Sequence, residues 1–454
     1  MMNSPNDYAT ESHISTASTG TAFMALTFTE STGGEEKHVA LVIKRKEKIN
    51  KFLNIALLIF IGAHVFINPF PQLTAIEEIS FYGAVFFWAV LLGRKETTFN
   101  WQGPLTIPLL VFVAWTLIGL LFALDKANTL HDIYAHLLKY LVLYYLLTNY
   151  FSSFRRFELL WLLLIFSTSV FAVYLMVYFY IVIGNPFAVK LGYQMPWEIP
   201  PNFIGVLTIF ALLLSINIYN FNGIKAYKWL LAIPAVILVI TTLATKTRGA
   251  IFSLFVAVIA LFVRNKKALL FFTLSFVLLV AAMPVKERLS PGELTDKIRA
   301  DDRIQIWYTF WEMTKDHPLT GIGFGMETYH DDNLLNKYNQ RVPPAYRQSV
   351  PLKSPHNFFV DLTVRTGLVG LIIFFSIIWR FFAMATELIR FGKNSIVRIW
   401  AVGLVAAQIA WMIQGMFESI VSGPAAKLFF IILAMMTILW NLRGQEEPAE
   451  AGLV

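Results

Sequence analysis

The sequence contains no cysteine and few charged residues. None of its 454 residues is Cys, and only 15% are Asp, Glu, Lys or Arg. The absence of Cys excludes thiolate catalysis, Cys-ligated metals and a disulfide-stapled secreted domain. The charged fraction is far below the ~25% of an average soluble domain, and 57% of the residues are hydrophobic. This composition excludes an ordinary cytosolic enzyme and a disordered protein, and it predicts an all-α, polytopic membrane protein.

Long apolar runs predict the helices that cross the membrane. Because the hydrocarbon core needs about 20 apolar residues per helix, runs near that length predict a transmembrane helical bundle of about 12 spans. The runs lie at 52–68, 76–92, 104–124, 137–151, 157–183, 203–221, 229–245, 250–263, 268–284, 358–382, 397–416 and 426–441.

These runs divide the sequence into five regions. No cleaved signal peptide is expected, because the first run begins only after Lys51 and is not followed by a small-residue cleavage site. We expect a disordered cytoplasmic tail with a basic flank over 1–50, spans 1–9 over 51–284, a periplasmic loop over 285–355, spans 10–12 over 356–442, and a cytoplasmic tail over 443–454.

The net charge of +8 is a signal of membrane topology. Most Lys and Arg residues of the short loops fall on one side of the predicted spans, which the positive-inside rule assigns to the cytoplasm. Both termini are then cytoplasmic, and the long loop lies outside. The basic residues are scattered between apolar runs, so no nucleic-acid partner is expected.

Two arginines fall on the outer side of the membrane. Arg248 stands beside Gly249 in the turn between two spans, where a guanidinium at a helix N-terminus suits a phosphate. An interfacial arginine that reaches lipid headgroups is the alternative. Arg303 falls in the first turn of an amphipathic helix predicted over 303–316, next to Asp301 and Asp302. A surface Arg–Asp pair is the alternative there.

A third candidate is His356, at the start of the span at 358–382. Pro355 favours a helix start, which would place His356 in the first turn, where an imidazole can accept a proton near neutral pH. A capping role is the alternative. Asn357, Asp361 and Arg365 follow at four-residue steps. Asp361 and Arg365 can pair at this spacing, and such a polar stripe usually faces a water-filled cavity.

The remaining polar motifs are weaker. The segment Gly321-Ile322-Gly323-Phe324-Gly325 lacks the strand and helix of a phosphate loop, and it is interpreted as a turn. His131, Asp132 and His136 form a weak metal motif, and no metal site is predicted from them. Glu418, before Pro424, is a possible second carboxylate of low weight.

The amphipathic helix predicted over 303–316 has an apolar face. Ile304, Trp307 and Trp311 recur at three- and four-residue spacing, so we expect this helix to lie on the outer membrane surface.

The outer-side motifs together resemble the O-antigen ligase and O-antigen polymerase superfamily over roughly residues 50–440. His356-Asn357, an apolar stretch and Thr366-Gly367 are similar to its His-Asn motif. Thr247-Arg248-Gly249 resembles its Ser/Thr-Arg-Gly turn, and Arg303 with Trp307, followed by Pro318 through Gly325, resembles its Arg-x-x-x-Trp helix and glycine-rich segment. Pro201-Asn202 before a span also fits.

The resemblance implies a membrane-embedded glycosyltransferase of the GT-C type in the bacterial inner membrane, with a periplasmic active site. Such an enzyme joins a glycan from an undecaprenyl-diphosphate carrier to a lipid A core sugar, with inversion and without metal or another cofactor. His356 would be the general base, and Arg248 and Arg303 would bind the diphosphate. Asn357, Asp361 and Arg365 would be supporting residues.

Several alternatives stay open at this point. A polymerase would use a carrier-linked acceptor, and a protein-directed oligosaccharyltransferase would use a protein. A lipid-linked glycan transporter would use the polar stripe as a pathway without catalysis. The acceptor is left open by a proline-containing basic segment, Arg341 to Lys353, that departs from the family pattern.

Overall fold

The computed structural model describes residues 22–192, 199–219, 228–263, 265–282 and 302–445. The chain divides into two units, residues 1–56 and residues 57–454. Over the described residues the secondary structure is helical, without a β-strand, as the composition predicts.

The helices are numbered here in chain order over the described residues. They are α1 (Ala22–Ile67), α2 (Thr74–Gly93), α3 (Thr106–Phe122), α4 (Lys126–Asp132), α5 (Lys139–Tyr150), α6 (Phe154–Met176), α7 (Pro201–Tyr219), α8 (Lys228–Ala244), α9 (Arg248–Phe262), α10 (Lys266–Ala282), α11 (Asp302–Asp316), α12 (Asp332–Asn339), α13 (Phe358–Phe391), α14 (Ser395–Gly415) and α15 (Gly423–Leu442). Two π-helical segments, Ile133–Leu138 and Val177–Val182, follow α4 and α6.

Over the described residues, every apolar run identified in the sequence overlaps one of these helices. Within the described residues, 6 helices are long and apolar enough to cross a membrane. Shorter apolar helices of 10–17 residues include Thr106–Phe122 and Arg248–Phe262. The chain is therefore a membrane protein, and the crossing of the bilayer by all twelve runs stays a prediction. The six long segments are Ala40–Ile67, Pro71–Gly93, Phe154–Val182, Phe358–Phe391, Ser395–Gly415 and Gly423–Leu442.

Helix α1 begins inside the region that composition predicts to be a disordered tail. Its first residue is Ala22, and it continues to Ile67. Residues 35–51 contain three Glu and five Lys residues, which are good helix formers. The remainder of the predicted tail, residues 1–21, lies outside the described residues.

Helix α13 is broken at Gly367, which has φ 70° and ψ 178°. The segment that follows α11 inserts at this break. The Ile322 amide donates to the Val364 carbonyl (2.9 Å), and the Leu368 amide donates to the Pro318 carbonyl (2.8 Å). A Cβ atom at Gly367 would lie 1.9 Å from the Leu319 carbonyl oxygen. The glycine-rich segment thus satisfies the backbone groups that the broken helix leaves open.

The described part of the long outer loop folds around its own small core. Ile306, Phe310 and Met313 of α11 are buried in this core, and Val364 of α13 joins them. Helix α11 is amphipathic and ends at Asp316, as predicted, and its position on the outer membrane surface stays a prediction. Trp311 is 52% exposed.

Five helix ends meet at the candidate site. Helix α14 packs against α7, α9, α13 and α15. The N-termini of α7, α9, α13 and α15 and the C-terminus of α14 surround the short loop from Met416 to Ser422, which joins α14 to α15. Phe417 and Glu418 of this loop contact Arg303 and His356, respectively.

Candidate functional site

His356 and Glu418 form a hydrogen-bonded pair in front of α13. The Nδ1 atom of His356 lies 3.0 Å from Oε1 of Glu418. The imidazole is half-buried, and the carboxylate is buried. Among the described residues, no hydrogen bond engages the other imidazole nitrogen, Nε2. The imidazole is thus held through Nδ1, whereas Nε2 is not engaged.

The position of His356 differs from the prediction, which placed it in the first turn of the helix. Helix α13 begins at Phe358, and Asn357 is its N-cap: its side-chain oxygen accepts from the amides of Phe359 (2.9 Å) and Val360 (3.2 Å). His356 lies one residue before this cap, with φ 44°. Asn357 has the better chemistry for capping, because its short amide reaches the first free helix N–H groups. The left-handed backbone at His356 is a strained conformation that the surrounding contacts maintain.

Glu418 is also held from the side of α7. Its Oε2 atom accepts a hydrogen bond from the Asn202 side chain (2.9 Å), and the Gln414 side chain donates to the Asn202 carbonyl (3.2 Å). Burial alone would raise the pKa of Glu418, but the hydrogen bonds from His356 and Asn202 hold it below its ordinary value. Glu418 is therefore ionised at neutral pH and faces His356 as a carboxylate.

Phe417, the residue before Glu418, contacts Arg303 and the helix that begins at Arg248. Arg303, in the first turn of α11, donates through Nη2 to the Phe417 carbonyl (3.4 Å), and its guanidinium carbon lies 5.7 Å from the centre of the Phe417 ring. Arg248 is exposed and is the first residue of α9. A Cβ atom at Gly249 would lie 2.9 Å from the Phe417 ring, so a glycine at this position lets α9 approach the loop. Asp301, which was expected beside Arg303, lies outside the described residues.

Helix α11 also supports the segment that carries His356. The Trp307 indole, one turn after Arg303, donates to the Pro355 carbonyl (3.0 Å). Arg303 and Trp307 therefore reach two loops from one face of the same helix. The Arg-x-x-x-Trp spacing thus ties the position of Arg303 to that of the segment before His356.

Asp361 and Arg365 do not form the predicted pair. Arg365 is almost fully buried, and its guanidinium donates through Nε (2.8 Å) and Nη2 to the Phe324 carbonyl. Asp361 instead accepts a hydrogen bond from the Tyr329 hydroxyl (3.1 Å). The break at Gly367 brings the Phe324 carbonyl within reach of Arg365, so this arginine joins the inserted segment to α13.

The weak metal motif is organised around Asp132. Its Oδ1 atom lies 2.9 Å from Nδ1 of His131 and 3.6 Å from Nε2 of His136, and Oδ2 accepts from the Met326 amide (2.6 Å). Asp132 thus fixes the residues after the glycine-rich segment against the end of α4.

Comparison with known families adds to this geometry. Residues 233–375 match a family model described as O-antigen ligase. No match to the chain was found among curated proteins. The family match confirms the resemblance to the O-antigen ligase and polymerase superfamily. Together with the apolar helices, it supports a membrane glycosyltransferase of the O-antigen ligase/polymerase type.

The matched O-antigen ligase segment contains the predicted site residues but not all of the site. Arg248, Arg303 and His356 lie within residues 233–375, whereas Asn202 and Glu418 lie outside them. Sequence reasoning gave Glu418 little weight, because 62 residues separate it from His356 and no local motif marks it. The only signal was its place in an outer loop, on the same predicted side of the membrane as His356.

Proposed function

We propose that this protein transfers a glycan from a polyprenyl-diphosphate carrier to an acceptor hydroxyl on the periplasmic face of a bacterial inner membrane. The observation that carries the proposal is the His356–Glu418 pair, whose Glu418 lies on a loop that contacts Arg303 and the helix that begins at Arg248. It provides a base for the acceptor and cations for the leaving group, which are the two requirements of displacement from a glycosyl diphosphate.

The residues have separate roles in this reaction. His356 Nε2 takes the proton of the acceptor hydroxyl while that oxygen forms a bond to the anomeric carbon of the glycan. The bond from this carbon to the carrier phosphate breaks, and its electron pair leaves with the diphosphate. Glu418 fixes the imidazole and stabilises its protonated form, as a carboxylate does in a catalytic triad.

Arg248 and Arg303 stabilise the departing diphosphate. Guanidinium groups form two parallel hydrogen bonds to phosphate oxygens, and the N-terminus of α9 at Arg248 adds free backbone N–H groups of favourable polarity. Two such cations neutralise the developing charge without a divalent ion, so we expect activity to withstand EDTA. Direct displacement at an α-linked diphosphate inverts the anomeric configuration.

The test compares His356→Ala with the wild-type protein in lipid nanodiscs, with an undecaprenyl-diphosphate-linked glycan as donor. We expect turnover to fall by about 10²–10⁴-fold while the donor still binds, because a positioned general base contributes about that factor. Arg341→Ala, a substitution on the outer loop, serves as the control. Undiminished transfer by His356→Ala would rule out this base, and retained carrier translocation without transfer by the wild-type protein would favour a transporter.

The acceptor is identified by deleting the gene. Loss of all long-chain glycan on lipid A, with accumulation of carrier-linked polymer, indicates transfer to a lipid A core sugar, which we favour. A core that carries a single repeat indicates a polymerase with a carrier-linked acceptor. Loss of glycoproteins with unchanged lipopolysaccharide indicates a protein-directed oligosaccharyltransferase.

A further inference from the structure

A large polar cavity lies at the other end of the helix bundle from the His356–Glu418 pair. It measures about 510 Å³ and is bounded by the loop between α2 and α3, the end of α5 and the end of α15. Glu418 lies just before the start of α15, whereas Arg443, which lines the cavity, follows its last residue. Because a helix of 20 residues is about 30 Å long, the cavity is remote from the candidate site. We name it the Arg443 cavity.

The lining of the Arg443 cavity is polar, although 57% of the residues in the chain are hydrophobic. Among the described residues, every side chain that lines it carries a hydrogen-bonding group, and Arg443 is the only charged one. Such a wall offers many neutral hydrogen bonds and one guanidinium, which suits a phosphate that carries hydroxyl groups. The neutral side chains include Asn100, Gln102, Tyr145, Asn149 and Thr437.

The cavity extends from the connecting loops into the bundle. Tyr144 of α5 and Thr437 of α15 line it, both are buried, and their hydroxyl oxygens lie 2.9 Å apart. They stand six and five residues before the ends of their helices, which corresponds to about 8 Å along the helix axis. Hydrogen-bonding side chains therefore line the cavity from its mouth to its floor.

The loop that forms one wall is fixed by its own hydrogen bonds. The Asn100 amide donates to the Asn149 side chain (2.7 Å), and the Asn149 side chain donates to the Asn100 carbonyl (3.1 Å). The Thr106 hydroxyl at the start of α3 donates to the Trp101 carbonyl. The wall is therefore formed without a ligand, which lowers the entropy that a ligand must lose on binding.

Arg443 is positioned by the last turn of α15. Its guanidinium carbon lies 4.1 Å from the centre of the Trp440 ring, and Nη1 donates to the Trp440 carbonyl (2.6 Å). Arg380 of α13 brings a second guanidinium to 6.0 Å from the centre of the same ring. Over the described residues no carboxylate lines the cavity, so its wall favours an anion at Arg443.

Apolar surface that suits lipid chains borders the cavity. Thr106 lines the cavity, and Ile107, the next residue of α3, is 74% exposed. Leu110 and Val111, one turn further along α3, are also exposed, and so is Trp101 in the cavity wall. Exposed aliphatic side chains on a membrane helix face lipid chains, and tryptophan is typical of the membrane interface. A ligand held at Arg443 can therefore keep acyl chains in the bilayer.

We propose that the Arg443 cavity binds the headgroup of an anionic phospholipid that carries hydroxyl groups, with its phosphate at Arg443 and its hydroxyls at the amide and hydroxyl side chains of the wall. Phosphatidylglycerol has this chemistry. The ammonium group of a zwitterionic headgroup finds no carboxylate in the described wall. The positive-inside rule assigns this end of the bundle to the cytoplasmic leaflet, where basic pockets between membrane helices bind anionic headgroups. The site is separate from the proposed glycan transfer.

The test titrates the full-length protein in detergent with phosphatidylglycerol and follows bound lipid by native mass spectrometry. We expect one tightly bound lipid on the wild-type protein. Arg443→Gln should bind it about 10- to 100-fold more weakly, as expected for one lost charge-assisted hydrogen bond. Arg443 is exposed, so this substitution removes no buried side chain.

Arg155→Gln is the matched control. Arg155 is an exposed arginine in the first turn of α6, on the same predicted side of the membrane, and it does not line the cavity. This variant should bind phosphatidylglycerol as the wild-type protein does. Equal weakening in Arg155→Gln and Arg443→Gln would show attraction to overall surface charge, and absence of a tightly bound lipid on the wild-type protein would show no site. Either result would overturn the proposal.

Competition identifies the group that is recognised. We expect phosphatidylethanolamine to bind at least about tenfold more weakly than phosphatidylglycerol, and we expect the deacylated headgroup glycerophosphoglycerol to displace phosphatidylglycerol only at high concentration. Equal binding of the two lipids would overturn the headgroup assignment. Displacement by inorganic phosphate as effective as that by glycerophosphoglycerol would show a site for free phosphate and overturn the lipid assignment. His356→Ala should bind phosphatidylglycerol normally, so failure of glycan transfer leaves this test intact.

Discussion

His356 Nδ1 and Glu418 Oε1 lie 3.0 Å apart, although one residue precedes α13 and the other follows α14. Asn202 at the start of α7 completes the contact from the opposite side of the carboxylate. Three helices therefore fix the orientation of one imidazole. Such preorganisation is required of a general base, because a misplacement of about 1 Å can cost 10²-fold in rate.

Glu418→Gln tests whether this contact serves catalysis. Glutamine preserves the shape but not the charge, so we expect kcat to fall on the order of 10²-fold with an unchanged donor KM. Because the two residues act as a unit, the double variant with His356→Ala should be no slower than His356→Ala alone. Additive losses in single-turnover measurements would show that Glu418 acts independently of His356.

The same carboxylate predicts a pH dependence of stability. Since the folded protein holds the pKa of Glu418 below its ordinary value of 4.5, the unfolded chain binds the proton first as the pH falls. The stabilising contribution is present above about pH 5 and is lost as the pH falls through the folded-state pKa. We expect the difference in Tm between wild type and Glu418→Gln to shrink on acidification. A difference that grows below this range would contradict the stated direction.

The sequence predicts the long helices of the bundle well, because each contains a continuous apolar run. The break in α13 could not be predicted in this way. It depends on Gly367 meeting the carbonyl groups of Pro318 and Leu319, which are distant in sequence. The partners of His356 and Arg365 escaped prediction for the same reason: Glu418 and the Phe324 carbonyl are brought near only by the tertiary fold.

Gly367→Ala tests the break directly. The residue has φ 70°, and an added Cβ would lie 1.9 Å from the Leu319 carbonyl oxygen, so the inserted segment must be displaced. We expect a loss of more than about 2 kcal/mol of stability, from backbone strain and lost hydrogen bonds. Thermal unfolding followed by size-exclusion chromatography measures it. Gly93→Ala is the control, because an added Cβ there meets no atom within 4 Å.

Arg365→Lys separates structural support from substrate binding. The guanidinium donates twice to the Phe324 carbonyl and lies 4.3 Å from the centre of the Phe324 ring, and an ammonium group cannot reproduce this fork. We expect a Tm several degrees lower, and an unchanged donor KM in the protein that remains folded. A raised donor KM with an unchanged Tm would instead place Arg365 among the substrate-binding residues.

Arg248→Lys and Arg303→Lys test the diphosphate site. Lysine keeps the charge but loses the bidentate geometry, so each variant should lower kcat/KM for the donor by about 10- to 100-fold, as expected for one lost charge-assisted hydrogen bond of ~1.5–3 kcal/mol. Arg341→Lys is the matched control, because Arg341 forms an exposed pair with Asp316 on the outer loop. Inorganic pyrophosphate should inhibit the wild-type protein and the control more strongly than either site variant. Equal inhibition of all four proteins would exclude Arg248 and Arg303 as the diphosphate ligands, and would leave the His356–Glu418 pair without a defined leaving-group site.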